Sequence, residues 1–284
     1  MELRVFKTLW GHTTGLDAAF AACREKAFDG LEGPCPIAPR GRSVFRQRLA
    51  DEGRSYIAEI CTAGGYVPQP HTTVGEHLAS FRKQAEAAVE CAPLFLTALA
   101  GRDAWSVPES VEFFGEADRI VRGLGVTASF ETHRSRSLFN PWITRDVLRQ
   151  LPELRLTCDF SHWCCVCERL VLDEEPELLA LVAAHAHHTH ARVGYDQGPQ
   201  VPHPAAPEHS VALEAHERWW RMIWDAQERA GQPISTMTPE FGPDGYLHTL
   251  PFSAEPVADL VEINHWIAVR ERDQFAAHRT AVAA

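Results

Sequence analysis

Apolar residues along the chain follow two alternating rhythms. Short apolar or period-two runs are each followed by a longer stretch with helical spacing, and the alternation repeats eight times. Leu3 to Trp10 alternates, and Leu16 to Ala27 reads as a helix closed by Gly30. A short strand near Leu31 to Pro34 and a helix near Arg42 to Glu52 follow, then a strand over Ser55 to Thr62 and a helix over Glu76 to Cys91. Leu94 to Ala100 is an apolar strand. Pro108 then opens a helix to about Gly123, where the missing N–H has no helical partner to lose. Strand Val126 to Glu131 precedes helix Pro141 to Leu151, and strand Leu154 to Phe160 precedes a helix from about Glu175 to Ala184. Strand Ala186 to Val193 leads through a Pro/Gly-rich loop, Gly194 to Pro207, into helix Val211 to Ala230, stopped by Gly231. Strand Ile234 to Glu240 and helix Pro256 to Ala277 form the eighth unit.

Strands that alternate with helices give a parallel sheet. Eight units in 284 residues predict an α/β protein with one closed (β/α)₈ TIM-barrel domain over residues 1–284. An open doubly wound sheet is disfavoured, because no Gly-x-Gly-x-x-Gly turn follows the first strand. Barrel active sites lie at the C-terminal mouth, so the last residue of each strand matters most. Four strand ends carry a carboxylate or imidazole: Glu131 in SFETHR, Asp159 in TCDFSHW, His190 in HHTHAR and Glu240 in TMTPEFG. They are spaced 28, 31 and 50 residues apart, one strand–helix unit each, which sets them at the same level of successive strands. Period two then turns Thr127, Ser129, Thr157, His188, Thr236 and Thr238 inward with them, and Phe130, Cys158 and Met237 outward to the helices. Such a mouth suits a hydrated ligand, and three carboxylates with one imidazole suit a hard or borderline divalent ion.

Composition narrows the partners. With 45% apolar residues the chain can bury a large core, and no run approaches the length of a membrane span or has the order of a signal peptide. The expectation is a cytoplasmic protein without membrane partners. Its net charge of −11 and lack of a basic run argue against tracking nucleic acid, leaving small molecules as partners and homo-oligomerisation open. Eight scattered cysteines read as reduced thiols. The cluster Cys164, Cys165 and Cys167 has no second Cys-x-x-Cys pair to complete a zinc ribbon and reads as small residues packing a helix start.

The ordered set of a Glu ending strand five, Asp-x-x-His after strand six, His-x-His on strand seven and Pro-Glu-Phe on strand eight resembles the xylose-isomerase-like sugar isomerase/epimerase superfamily of TIM barrels. Ketose 3-epimerases, hydroxypyruvate isomerase and inosose dehydratase are members. The resemblance covers nearly the whole chain. It implies one divalent metal ion, expected as Mn²⁺ with Mg²⁺, Co²⁺ or Zn²⁺ admissible, held by Glu131, Asp159, His190 and Glu240. His162 would contact a sugar-like substrate and His188 would lie deeper in the barrel. Glu131 and Glu240 would act as the acid/base pair of an isomerase or epimerase working through an enediolate, or of a dehydratase on the same site.

The chain departs from that pattern after strand five, where it has His133, Arg134 and Arg136, and after His190, where Arg192 follows. These cations are candidates for substrate contact, Arg134 and Arg136 equally for pairing with surface acids. His12 and Trp105, with Trp10, Arg102 and Asp103, stand at the ends of strands one and four as candidate walls. Trp219, Trp220 and Trp224 read as core or subunit contact, and loop 194–207 as a lid or wall. The superfamily also holds an apurinic-site endonuclease with three zinc ions. That chemistry calls for histidines on strands two and three, and strand three ends here in CTAGG. A non-catalytic metal-binding subunit is the remaining reading.

Overall fold

The computed structural model describes residues 1–243 and 245–283, with side chains through Thr280. Eight parallel strands close in chain order: β1 (Glu2–Thr8), β2 (Gly30–Pro34), β3 (Ser55–Cys61), β4 (Leu96–Leu99), β5 (Ala128–Glu131), β6 (Leu156–Cys158), β7 (Ala186–Ala191) and β8 (Ile234–Pro239). β8 pairs back onto β1, with Val5 opposite Met237. The fold is the single-domain (β/α)₈ barrel that the rhythm predicts.

Helices α1 (Gly15–Glu25), α2 (Pro39–Asp51), α3 (Val74–Val89), α4 (Val107–Leu124) and α5 (Pro141–Leu148) connect the first six strands. Then come α6 (Ser161–Cys167), α7 (Pro176–His185), α8 (Ser210–Arg229) and α9 (Leu260–Ala283). Two starts are fixed by reciprocal capping boxes, Thr73 with Glu76 and Ser106 with Glu109. The first of these helices starts at Val74, two residues before the expected start at Glu76, because Gly75 in its opening turn masks the helical rhythm. α6 is foreseen only as the helix start that Cys164, Cys165 and Cys167 would pack. It begins two residues after Asp159, and its seven residues are too few to show a period.

The barrel interior is layered as period two requires. Phe6, Ile57 and Phe95 plug the floor. Above them Thr157 Oγ1 lies 2.8 Å from Thr97 Oγ1 and 2.7 Å from Ser129 Oγ, so buried hydroxyls satisfy one another. Outside, Phe130 packs on Phe81 of α3 and on Phe113 and Phe114 of α4, with centroids 4.8–6.3 Å apart. Cys158, Met237 and the three α8 tryptophans are buried, which assigns those tryptophans to the core. All eight cysteines are free thiols, and Cys164 is buried where α6 meets α8, its sulfur 3.9 Å from His216 Nε2. No described helix is long and apolar enough to cross a membrane.

Phe130 is the joint between sheet and helices on this side. Truncation to alanine should leave a cavity and cost about 3–5 kcal/mol, read from urea unfolding followed by tryptophan fluorescence. A loss below about 1 kcal/mol would remove that role.

A candidate metal centre in the barrel mouth

Each of the four expected side chains arrives at the mouth by a strand end. Glu131 is the last residue of β5, Asp159 follows β6, His190 lies in β7 opposite Thr238, and Glu240 follows β8. One potential ligand atom from each lies within 4.8 Å of all the others, and all four residues are buried. Local hydrogen bonds hold the set. The Thr132 hydroxyl donates to the Asp159 carbonyl at 2.8 Å and accepts from the Asp159 N–H at 2.9 Å, tying β5 to β6. Asp159 Oδ1 accepts the Ser161 N–H at 3.0 Å, so the short α6 turns its first residues toward the carboxylate.

Glu32, in the middle of β2, completes the support and escaped the sequence reading. Its carboxylate is 2.8 Å from His190 Nε2 and 3.0 Å from His188 Nε2, and it accepts the Thr238 hydroxyl. His188 Nδ1 lies 2.8 Å from Thr236 Oγ1, which confirms its deeper position. With Nε2 on Glu32, the His190 ring presents Nδ1 to the centre, 3.0 Å from Glu240 Oε2 but not aligned for a hydrogen bond. A carboxylate behind an imidazole fixes tautomer and ring plane in this way at metal sites. Glu59 on β3, also unforeseen, lines a cavity that opens beside this centre. The available signal for both was an acid inside an otherwise apolar or small-residue strand.

The electrostatics favour a cation. Burial pushes the Glu131 carboxyl up to about 7, with Glu240 and Asp159 acting in the same direction against the pull of His190. Asp159 is raised by burial despite Arg192, and Glu59 is pushed to about 8 by burial and by Glu240, Glu32 and Glu131. Burial lowers His190, yet Glu240, Glu32 and Glu131 outweigh it and hold the imidazole well above its usual pKa. Glu131 Oε2 and His190 Nδ1 are buried without hydrogen-bond partners. Three carboxylates, one imidazole and two orphaned ligand atoms fit a divalent cation.

A cavity of about 240 Å³ opens beside the centre, lined by Glu59, Cys61 and Leu99 on one side and by Glu131, His133, Arg192 and Glu240 on the other. Trp10, Tyr66 and Tyr246 form its collar. His162 and His133 pack at a tilt with centroids 4.0 Å apart, and burial, with Arg192 nearby, keeps both imidazoles well below their usual pKa and neutral. Arg192 donates to Asp159 Oδ2, to His162 Nε2 at 2.7 Å and to Ser161 Oγ at 3.1 Å, beneath the Tyr246 ring.

Other candidates lie elsewhere. Arg134 is outside the cavity lining, its guanidinium carbon 4.8 Å from the Tyr246 ring centre. Trp105 is in the core between α3 and α4, 4.7 Å from His77, because the β4 loop folds it inward under the mouth. His12 turns onto its own loop, with Nε2 2.8 Å from the Gly15 carbonyl, and lines a separate crevice. Arg136 binds neither substrate cavity nor surface acid. Fully buried, it donates to the carbonyls of Thr62, Gly65, Tyr66 and Gly101 and so braces the loops after β3 and β4. Loop 194–207 stands at the mouth but does not line the cavity. Gln200 clasps the Gly242 backbone at 2.9 and 3.3 Å, where a Cβ on Gly242 would overlap the Trp10 ring.

No protein-family model and no curated protein matches the chain. Solved structures do. L-ribulose 3-epimerase superposes with a TM-score of 0.67 at 13% identity, covering 100% of this chain and 97% of that one. The IolI protein, solved with a zinc atom, gives 0.64 at 13% identity over 95% and 97%. A xylose isomerase-like TIM barrel protein from Mycobacterium smegmatis, in complex with magnesium, gives 0.62 at 12% identity over 93% and 95%. Identities this low establish the fold alone. The structural neighbours are xylose-isomerase-like TIM barrel proteins, the group that the strand-end motifs resemble.

Proposed function

We propose that the protein is a divalent-metal-dependent isomerase or epimerase of a small sugar or related polyhydroxy-carbonyl compound. The observation that carries this reading is the convergence of ligand atoms from Glu131, Asp159, His190 and Glu240 within 4.8 Å at the mouth. These four would hold the ion, expected as Mn²⁺, with Glu32 orienting His190. When bound, the ion supplies Lewis acidity toward neighbouring substrate oxygens. The catalytic work left to the chain is proton transfer at the carbon beside the carbonyl. Glu131 from β5 and Glu240 from β8 are the groups for it, one removing the proton and the other returning one to the opposite face. Neutral His133, whose Nδ1 donates to the Arg134 carbonyl, leaves Nε2 to accept from a substrate hydroxyl, and neutral His162, whose Nε2 accepts from Arg192, leaves Nδ1 to donate. The aromatic collar would exclude water.

The net charge of −11 weighs against a phosphodiesterase acting on nucleic acid. A full set of buried ligands weighs against a purely structural subunit.

Metal content tests the first half. Wild-type protein should retain one divalent ion per chain by elemental analysis, and Asp159→Ala should lose it. Protons compete for the same carboxylates. With Glu131 at about 7, affinity should fall as pH drops below that value, by about tenfold per unit for each proton displaced. Stoichiometric metal in Asp159→Ala would remove the assignment.

Proton exchange tests the second half. In D₂O with Mn²⁺ and a panel of neutral ketoses, wild-type protein should place deuterium on the carbon beside the carbonyl and form the epimer or isomer, seen by NMR. Glu131→Gln and Glu240→Gln, checked for metal and fold, should each abolish net turnover. For an epimerase each retains exchange with one epimer only, and the two variants choose opposite epimers. A dehydratase would show one variant that exchanges and one that does nothing, with a new ultraviolet-absorbing product from wild type. If both variants keep more than about a tenth of wild-type activity, the acid/base assignment is wrong.

A further inference from the structure

Among the described residues, Glu59 is the one acid lining the catalytic cavity that the proposed chemistry does not use. It lies on β3 with the inward register of Ile57 and Cys61, so its carboxyl faces the barrel interior between the apolar floor and the mouth. Among the described residues it has no guanidinium, ammonium or backbone N–H hydrogen-bond partner. The nearest donor is the Cys61 thiol at 3.6 Å, a weak one. Groups facing it from other strands are Glu32 on β2, Glu131 on β5, His190 on β7 and Glu240 beyond β8, three of the four being acids. Leu99, alongside it in the cavity wall, shows that this wall has room for an apolar residue.

Glu59 is half-buried and borders two spaces, this cavity and a second crevice whose lining includes Arg42 and Lys83; of the two, the cavity is the one that holds the reacting groups. We infer that Glu59 is a specificity residue that reads a hydroxyl group on the substrate's carbon chain, away from the carbons where protons move. This rests on the reading of the site as one for polyhydroxy-carbonyl compounds and names what the β3–β4 wall selects: a neutral, hydroxyl-bearing chain, with an anionic group at that end rejected by the surrounding acids. Burial and the neighbouring acids keep the Glu59 proton in place to about 8, so that the carboxyl can donate as well as accept.

The test uses the Mn²⁺-loaded protein and L-erythrulose, D-ribulose and D-fructose, with analogues of the tightest binder that each lack one hydroxyl beyond the reacting carbons. Affinity is read from tryptophan fluorescence, since Trp10 lines the cavity. Wild type should prefer the parent ketose over one deoxy analogue by about tenfold or more. Glu59→Leu should lose that preference to within about threefold while binding the deoxy analogue as wild type does, and Glu59→Gln, which keeps a donor and an acceptor, should retain it. If Glu59→Leu does not fold, Glu59→Ala carries the same comparison. Equal weakening toward parent and analogue would mean that Glu59 merely shapes the wall, and unchanged discrimination would mean that it touches nothing; either overturns the proposal while wild-type turnover leaves the functional reading intact. Failure of wild type to bind any of the three ketoses overturns both.

Discussion

Five carboxyl groups share the interior of this barrel, and the mouth is organised around keeping them there. Two unit charges 4 Å apart repel by about 4 kcal/mol at the effective dielectric of a protein, so Glu32, Glu59, Glu131, Asp159 and Glu240 cannot all ionise unaided. The structure answers in three ways. Glu32 is stabilised as an anion: burial opposes its ionisation, but His188 and His190 outweigh it and hold the carboxyl far below the usual range. Asp159 receives Arg192 and the Ser161 N–H. Glu131 and Glu59 shift upward instead, toward the protonated form. A divalent cation at the proposed centre would reverse that shift for Glu131, coupling metal binding to proton release.

Such a concentration of polar groups is tolerable because stability is generated elsewhere. The apolar mass lies between sheet and helices, where Phe81, Phe113, Phe114 and Phe130 form one stacked cluster and α8 buries three tryptophans. The interior needs only the Phe6–Ile57–Phe95 floor to keep water out from below. Above it, Thr97, Ser129 and Thr157 satisfy one another, so the polar layer carries little desolvation penalty before the acids begin. The loops are braced by one residue in particular. Arg136 spends its donors on four backbone carbonyls, fixing the connections after β3 and β4 that border the cavity.

This division explains what was legible in the sequence. Eight strand–helix alternations and four polar residues at unit spacing are periodic signals, and the barrel and the juxtaposition of Glu131, Asp159, His190 and Glu240 followed from them. Glu32 and Glu59 give no periodic signal, because β2 and β3 read as ordinary strands and only closure of the barrel brings them opposite His190. Arg136 shows its charge in the sequence but not its direction, and a buried arginine serving carbonyls looks like a cation awaiting a substrate. Trp105 and His12 lie in loops, where a shift of two residues decides between cavity and core. Tyr66 and Tyr246 were missed for the same reason, lying in connections without a repeat.

The cavity has a chemical polarity that bears on what it can accept. Along one side stands the His133 imidazole, kept neutral by burial and by Arg192 and able to accept through Nε2, with His162 packed behind it. Arg192 itself is already neutralised by Asp159, with Glu240 3.7 Å away. On the other side are a thiol, a leucine and an uncompensated carboxyl. Arg134 has no acid partner among the described residues, but it sits behind the Tyr246 ring and outside the lining. No wall of the cavity therefore offers an unspent positive charge to a phosphate or carboxylate, whereas every wall but the aromatic collar offers a hydrogen bond to a hydroxyl. For an anionic substrate to enter, Arg192 would have to leave Asp159, exposing a buried carboxylate at a cost of several kcal/mol unless a cation replaced it. A neutral polyhydroxylated ligand requires no such exchange, and the small volume near 240 Å³ suits a single short sugar chain.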